Sequence, residues 1–309
     1  MTTLLFTHSA CFDHDPGRMH PECPARLKSV LNALEAEEFA ALDRREAPRA
    51  SDEQIRAVHP QSHLDSVAAA IPESGYAQID ADTIASAGSH EAAYRAAGAV
   101  CAAVDAVMAG EGHNAFCAVR PPGHHAEPHR AMGFCLFNNI AVAARHAQRR
   151  YGLERVAVID FDVHHGNGTQ AMFEDDHTLF YGSTHQEHIY PGTGMRSETG
   201  VDNIVNAPLP AMAGGAEFRH AMTETVLPAL FDFRPDFLMI SAGFDAHADD
   251  PLAAMNLQDE DYEWATQELM RVADQSCDGR IVSALEGGYD LHALGRSTAA
   301  HVRTLMKAA

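Results

Sequence analysis

The fifteen residues 155–169, RVAVIDFDVHHGNGT, constrain the fold of this chain more than any others. Val156, Ala157, Val158 and Ile159 form an apolar run without polar alternation. That is the pattern of a strand in a parallel sheet covered on both faces. The run breaks into Asp160, Phe161, Asp162, Val163, His164 and His165, then Gly166, Asn167 and Gly168. Two carboxylates and two imidazoles therefore follow directly on a buried strand, at the end where open α/β sheets place their sites. In an extended chain Asp160, Asp162 and His164 share one side. A solvated charged turn accounts for the Asp and Gly residues but not for the four apolar residues before them. A metal or catalytic site accounts for both.

The rest of the chain alternates strands with helices. TLLFTH reads as a first strand. Pro24 suits the first turn of a helix, which runs through residue 39 with an apolar stripe at Leu27, Val30, Leu31 and Leu34. Residues 48–60 read as irregular with a short strand at 55–58, 61–71 as a helix, and 71–86 as a loop holding Asp80 and Asp82. Helices follow over 90–109, 138–150, 169–174, 217–231, 259–276 and 290–307. Strands follow over 115–119, 178–181, 202–206, 236–241 and 280–285, and a polar loop covers 182–200. This order implies a mostly parallel sheet with helices on both faces. No linker, repeat or low-complexity tract interrupts it, so residues 1–309 read as a single domain.

Four strands end in polar residues that a fold alone does not need. Strand 115–119 leads into Arg120-Pro121-Pro122-Gly123-His124-His125, and the strand of the opening stretch into Asp160, Asp162 and His164. Strand 236–241 leads into Gly243-Phe244-Asp245-Ala246-His247, and strand 280–285 into Glu286-Gly287-Gly288-Tyr289-Asp290. In a parallel sheet these ends converge on one edge. Asp162, His164 and Asp245 then form a three-ligand set that leaves zinc a fourth position for water. The pair His124 and His125 offers a general base, and the Tyr289 hydroxyl a donor to an oxyanion. Two carboxylates formally cancel the zinc charge. Bound water is therefore acidified less than at a three-His site, and the reaction needs both helpers. The same ligands also suit ferrous iron or cobalt.

Composition excludes several partners. No stretch reaches 18 apolar residues, so no membrane span is expected. The N-terminus lacks a basic region and a long apolar run, and six scattered Cys form no CxxC pair, which together point to the cytoplasm. A net charge of −21 argues against nucleic acid and suits a cationic substrate, although solubility alone also explains it.

The blocks HPECPARL (20–27), RPPGHHA (120–126), GFCLFNN (133–139), DFDVHHGNGT (160–169), SAGFDAHADDPL (241–252) and LEGGYDL (285–291) resemble the histone deacetylase family, which includes acetylpolyamine amidohydrolases and bacterial deacetylase-like amidohydrolases. The variants GFDAH, HHGNGT and EGGYD are similar to its class II branch. The resemblance implies an arginase/deacetylase-type three-layer α/β fold with a central, mostly parallel eight-stranded sheet. It implies zinc on Asp162, His164 and Asp245, with His125 as base and then acid. His124 would be the electrostatic partner of His125, held by Asp160, and Tyr289 would polarise the acetyl carbonyl. Gly133 and Phe134 would line an acyl-lysine tunnel, with Leu252 at its mouth. Asp160 and Ser183, with the carbonyls of Asp162 and His164, match a structural potassium site, and Arg26 an arginine at the base of an internal cavity. Asn167 stands where class I members carry Asp, and is expected to tune His125. Leu252 stands where polyamine-selective relatives carry Glu, which weighs against a polyamine, although Asp80 or Asp82 could serve that role. The implied activity is removal of acetyl from the ε-amino group of lysine. Acetylpolyamine hydrolysis and a non-catalytic acyl-lysine-binding module are the alternatives. The partners expected are an acetylated lysine peptide or a small acetylated amine, with a homo-oligomer left open.

Remaining polar residues carry weaker expectations. His247 reads as rim or ligand support and Asp249-Asp250 as a turn without catalytic role. His185 and His188 lie in the loop near the rim, His14 and His20 near the tunnel, and His165 reads as structural. Cys11, Cys117 and Cys135 read as small packing residues.

Overall fold

A computed structural model describes residues 2–307. Ten strands occur among the described residues, in chain order: β1 (Thr3–Thr7), β2 (Asp43–Glu46), β3 (Tyr76–Gln78), β4 (Ile84–Ser86), β5 (Asn114–Cys117), β6 (Val156–Asp160), β7 (Leu179–Gln186), β8 (Ile204–Leu209), β9 (Phe237–Ala242) and β10 (Ile281–Leu285). Eight of them form one sheet in the order β2-β1-β5-β10-β9-β6-β7-β8, and every pairing within it is parallel. The only antiparallel strand pair among the described residues is the separate hairpin β3-β4. The expected central sheet of eight parallel strands is therefore present.

Side-chain alternation along β5 explains the layers. Phe116 meets the His301 ring of helix Leu291–Leu305 at 5.7 Å. Cys117 points to the opposite face, where burial, and after it the nearby Cys101 of helix Ser89–Met108, raises its pKa. Helices thus cover both faces. All five residues of β6 and all eight of β7 are buried, as a two-sided parallel sheet requires.

The chain leaves two sheet positions open between β5 and β6. It fills them last, with β10 and β9. The four strands whose ends carry the polar blocks are therefore contiguous at the centre of the sheet. Parallel direction brings all four C-terminal ends to one edge.

Several local expectations are corrected. The first helix, Pro24–Ala33, stops before residue 39, and the short turn Glu37–Phe39 follows. The short strand expected at 55–58 is not formed: Asp52–Ile55 is helical, started by a reciprocal capping box of Ser51 and Gln54, and 56–58 is a turn. The segment 71–86 contains the β3-β4 hairpin. The helix expected over 217–231 is interrupted by a wide turn at Met222–Val226. The strand at 178–181 continues to Gln186 because β8 pairs with it beyond the end of β6.

A buried ionic knot fastens the N-terminal loop beneath this edge. Glu22 Oε1 accepts from Arg26 Nη1 at 3.0 Å and from Arg120 Nε, and its Oε2 accepts from Arg120 Nη2 at 2.7 Å. His14 joins at 3.2 Å from Glu22 Oε2 and bonds Ser89 Oγ at 2.6 Å. His14 therefore belongs to this knot and not to the tunnel border. Burial opposes the Glu22 charge, but Arg120 and His14 hold its carboxyl well below the usual range. Glu22→Ala leaves two buried guanidinium groups unpaired. Urea unfolding should show a loss of about 3–5 kcal/mol; a loss within experimental error would mean that the knot does not stabilise the fold.

Candidate active site

β6 delivers Asp160 at its last position, and the turn after it delivers Asp162 and His164; the turn after β9 delivers Asp245. His164 Nδ1 lies 3.2 Å from Asp162 Oδ1 and 3.1 Å from Asp245 Oδ2. The ligand atoms of all three residues lie within 4.8 Å of one another, the only such group among the described residues. Tetrahedral zinc with bonds of about 2.0–2.1 Å sets its ligands about 3.3 Å apart, so these donors already stand near metal-binding spacing. Two backbone amides aim the carboxylates: Gly287 N–H donates to Asp162 Oδ2 and Val163 N–H to Asp245 Oδ1, both at 2.8 Å. A Cβ at position 287 would sit 2.2 Å from Asp245 Oδ2, so only glycine permits this approach.

The electrostatics also call for a cation. Burial and the Asp162 charge push Asp245 up to about 7. Burial opposes the charged form of His164, yet hydrogen bonds to Asp162 and Asp245 raise it to about 10. A divalent ion among the three would take over the role of that proton. The donor set, its spacing and its charge all fit a metal of the zinc class.

The two histidines after β5 are held in opposite states. His124 Nδ1 donates to Asp160 Oδ2 at 2.9 Å. Burial opposes its charge, but Asp160 and Asp162 raise it to about 10. His125 Nδ1 faces Asn167 Oδ1 at 2.8 Å, while Asn167 Nδ2 donates to Glu127 Oε1 at 2.8 Å. With the amide oriented by Glu127, its oxygen must accept. The proton of neutral His125 therefore sits on Nδ1, and Nε2 keeps its lone pair. Burial first, then the charges of His124 and His164, hold His125 well below the ordinary imidazole range.

His125 and His164 face a cavity of about 210 Å³ that is also lined by Asp82, Gly133, Phe134, Tyr190, Leu252 and Tyr289. Gly133 lies at φ +57°, and a Cβ there would meet His125 at 2.4 Å. Phe134 follows, also left-handed at φ 68°. The turn of the β3-β4 hairpin holds this pair, since Gly133 N–H donates to Asp82 Oδ1 and Phe134 N–H to Thr83 Oγ1. His20 packs edge-on against Phe134 at 4.7 Å, behind the lining and not among the lining residues. Tyr190 packs edge-on against His125 at 5.0 Å and also lines the cavity. Leu252 sits at the mouth, 38% exposed. Asp80 is not among the lining residues and pairs with Arg130 at 2.8 Å.

Other expected residues are placed as follows. Asp160 also accepts from the Tyr181 hydroxyl at 3.0 Å, and it faces Ser183 in the β6-β7 register. No backbone donor reaches the carbonyls of Asp162 or His164 among the described residues. Arg26 is buried with its guanidinium carbon 4.8 Å from the Tyr289 ring centroid. His247 is buried against Asp259 at 3.4 Å, and His165 is held between Thr193 and Gln170. His185 is buried rather than at the rim, bonded to Ser183 and Gly194, whereas His188 is exposed. Burial raises the Cys11, Cys117 and Cys135 thiols, which suits packing rather than reactivity.

Four contributors have no role that the sequence alone assigns. Glu286 lies beneath the His pair, accepting from Gly123 N–H at 2.7 Å and His124 N–H at 3.2 Å, and burial pushes it up to about 7. Tyr181, Tyr190 and Asp250 are the others. Only Glu286, which directly follows a buried strand, carries a local signal.

A protein-family profile described as "Histone deacetylase domain" matches residues 20–305. The chain is 39% identical to histone deacetylase 14, chloroplastic, of Arabidopsis thaliana over 98% of this chain and 76% of that protein. It is 43% identical to a histone deacetylase-like amidohydrolase of Pseudomonas aeruginosa over 87% of this chain and 71% of that one. The crystal structure of the HDA15 HD domain superposes with a TM-score of 0.93 at 34% identity, covering 100% of this chain and 89% of that one.

The His125 environment gives a signed pH prediction. A depressed His125 stays unprotonated below the ordinary imidazole range. Asn167→Asp places a carboxylate at Nδ1, favours the imidazolium and raises that pKa. The acid limb of kcat/KM should therefore move to higher pH in N167D; an unmoved or lowered limb would contradict the assignment.

Proposed function

The chain belongs to the histone deacetylase family, and from that premise we propose that it is a zinc-dependent hydrolase removing acetyl from the ε-amino group of lysine. One observation carries the reading: a neutral imidazole, a phenol and His164, itself one of a group of three metal-type ligands, line a single cavity. Asp162, His164 and Asp245 would hold the ion. Bound there, zinc would polarise the amide carbonyl and lower the pKa of the attacking water.

The chain's own residues perform the proton transfers. His125 takes a proton from water at Nε2 as the water oxygen attacks the carbonyl carbon. Asn167 keeps the ring in the tautomer that can accept. The Tyr289 hydroxyl donates to the developing oxyanion. As the C–N bond breaks, His125 returns the proton to the leaving nitrogen. Acetic acid and the amine result, and the acid's proton passes to the amine to give acetate and the lysine ammonium, so that atoms and charge balance. His124, already charged through Asp160, disfavours a resting imidazolium at His125 and so keeps the base available. Phe134 and Tyr190 would sandwich the apolar lysine stem and exclude water.

Asp160 and Ser183, with the unpaired carbonyls of Asp162 and His164, would take potassium as a structural ion. Six free cysteines accord with a reducing, cytoplasmic setting. No described helix is long and apolar enough to cross a membrane. A second substrate class has one specific support, because the Asp82 carboxylate lines the cavity and would attract a polyamine cation. Leu252 at the mouth favours the peptide.

His125→Ala and Tyr289→Phe should each lower turnover of an acetyl-lysine peptide about 10²–10⁴-fold. Near-normal turnover in H125A would show that the base lies elsewhere. Chelation should abolish acetate release, and zinc should restore it. Paired assays on the peptide and on acetylspermidine separate the substrates; a strong preference for acetylspermidine would overturn the lysine reading.

A further inference from the structure

The loop that carries Tyr289 is pinned from two sides. Arg26 holds its carbonyls, donating through Nε to Gly288 O at 2.6 Å and through Nη2 to Glu286 O. Asp250 holds its amides. Asp250 Oδ2 accepts the N–H of Tyr289 at 2.6 Å and that of Asp290 at 3.2 Å. Its other oxygen, Oδ1, accepts the N–H of Leu252 at 3.0 Å. Asp250 is only 7% exposed, although Asp249 and Pro251 on either side are exposed. One carboxylate thus faces inward from a surface turn and joins the rim residue Leu252 to the backbone of Tyr289.

The loop needs such an anchor. Gly287 and Gly288 precede the tyrosine, and Gly288 lies at φ +120°, a region open essentially to glycine. Two successive glycines leave the direction of Tyr289 weakly set by the local chain. Burying a carboxylate is costly, and here it is offset by charge-assisted bonds to backbone amides. A turn requires no buried acid for its own closure, so the placement calls for another reason.

We infer that Asp250 is a positioning residue for Tyr289: it fixes the backbone from which the phenol projects and ties that backbone to the tunnel rim. The inference deepens the deacetylase reading and rests on it for the role of the phenol. Asn at position 250 has nearly the same shape but only one acceptor oxygen. Its NH2 group must face one of the two sets of N–H donors, so one anchor is lost.

The test is a double-mutant cycle of Asp250→Asn and Tyr289→Phe, with kcat and KM measured on an acetyl-lysine peptide. D250N should lower kcat about 10- to 100-fold in the parent, the scale of a small misplacement of a catalytic group, with little change in KM. In the Y289F background it should cost nothing further, because the group it positions is gone. Equal losses in both backgrounds, or an unchanged kcat in the parent, would overturn the inference. Thermal melting checks folding. Should D250N not fold, Asp250→Glu, which keeps the charge but lengthens the arm, takes its place in the cycle with the same expected and overturning results. A 3-fluorotyrosine at position 289 gives a readout independent of turnover. Its fluorine NMR signal should be one narrow line in the parent and shifted or broadened in the Asp250 variant. A parent without turnover whose line still responds to D250N would remove the deacetylase reading and leave the anchor standing. An active parent whose line does not respond would remove the anchor alone.

Discussion

A carboxylate taken out of water costs several kcal/mol unless a charge and hydrogen bonds replace its solvation. Asp160, Asp162, Asp245 and Glu286 are all buried, at the ends of the neighbouring strands β6, β9 and β10. The rest of the structure answers that requirement. His124 neutralises Asp160, and His164 lies between Asp162 and Asp245. Backbone amides of Gly123, Asp162, Val163 and Gly287 and the Ser241 hydroxyl donate to the remaining oxygens. Glycines stand where a Cβ would strike a carboxylate. Four acids so close together still leave an excess of negative charge, which a divalent cation corrects and simple packing does not.

Topology determines which acids meet. Because the chain inserts β9 and β10 between β5 and β6, the last third of the sequence supplies residues to a site founded by the middle third. Asp245 reaches Asp162 and His164 from one neighbouring strand, and Tyr289 arrives from the next. The two histidines after β5 come from beyond β10, beneath which Glu286 braces their backbone. Opposite protonation within one adjacent His pair then follows from position. His124 points to the acids, and His125 to an amide already oriented by Glu127.

Much of this was legible because strand ends are local. Four apolar residues followed by Asp, His or Glu place both the strand and its chemistry within a single short segment. The grouping of Asp162, His164 and Asp245 follows once the strands are taken as parallel. What escaped the sequence is held by long-range partners. Asp250 reads as a turn because its bonds to Tyr289 and Asp290 cross 39 and 40 residues. Glu22 joins Arg120 across 98 residues, and nothing in HPECPAR signals that its acid is buried. The β3-β4 hairpin reads as a loop because its strands are three residues each, yet its turn holds Gly133 and Phe134 in place. Tyr190 lies in a polar loop without periodicity, and only the folded chain brings it against His125.

The central claim is that three side chains from β6 and β9 hold one divalent ion at the floor of the cavity. Anomalous X-ray scattering across the zinc absorption edge, measured on crystals of the zinc-loaded protein, tests it most directly. One strong peak within bonding distance of Asp162, His164 Nδ1 and Asp245 is the predicted result. No peak there, a peak ligated instead through His247, or a pair of equal peaks bridged by Asp160 would contradict the claim.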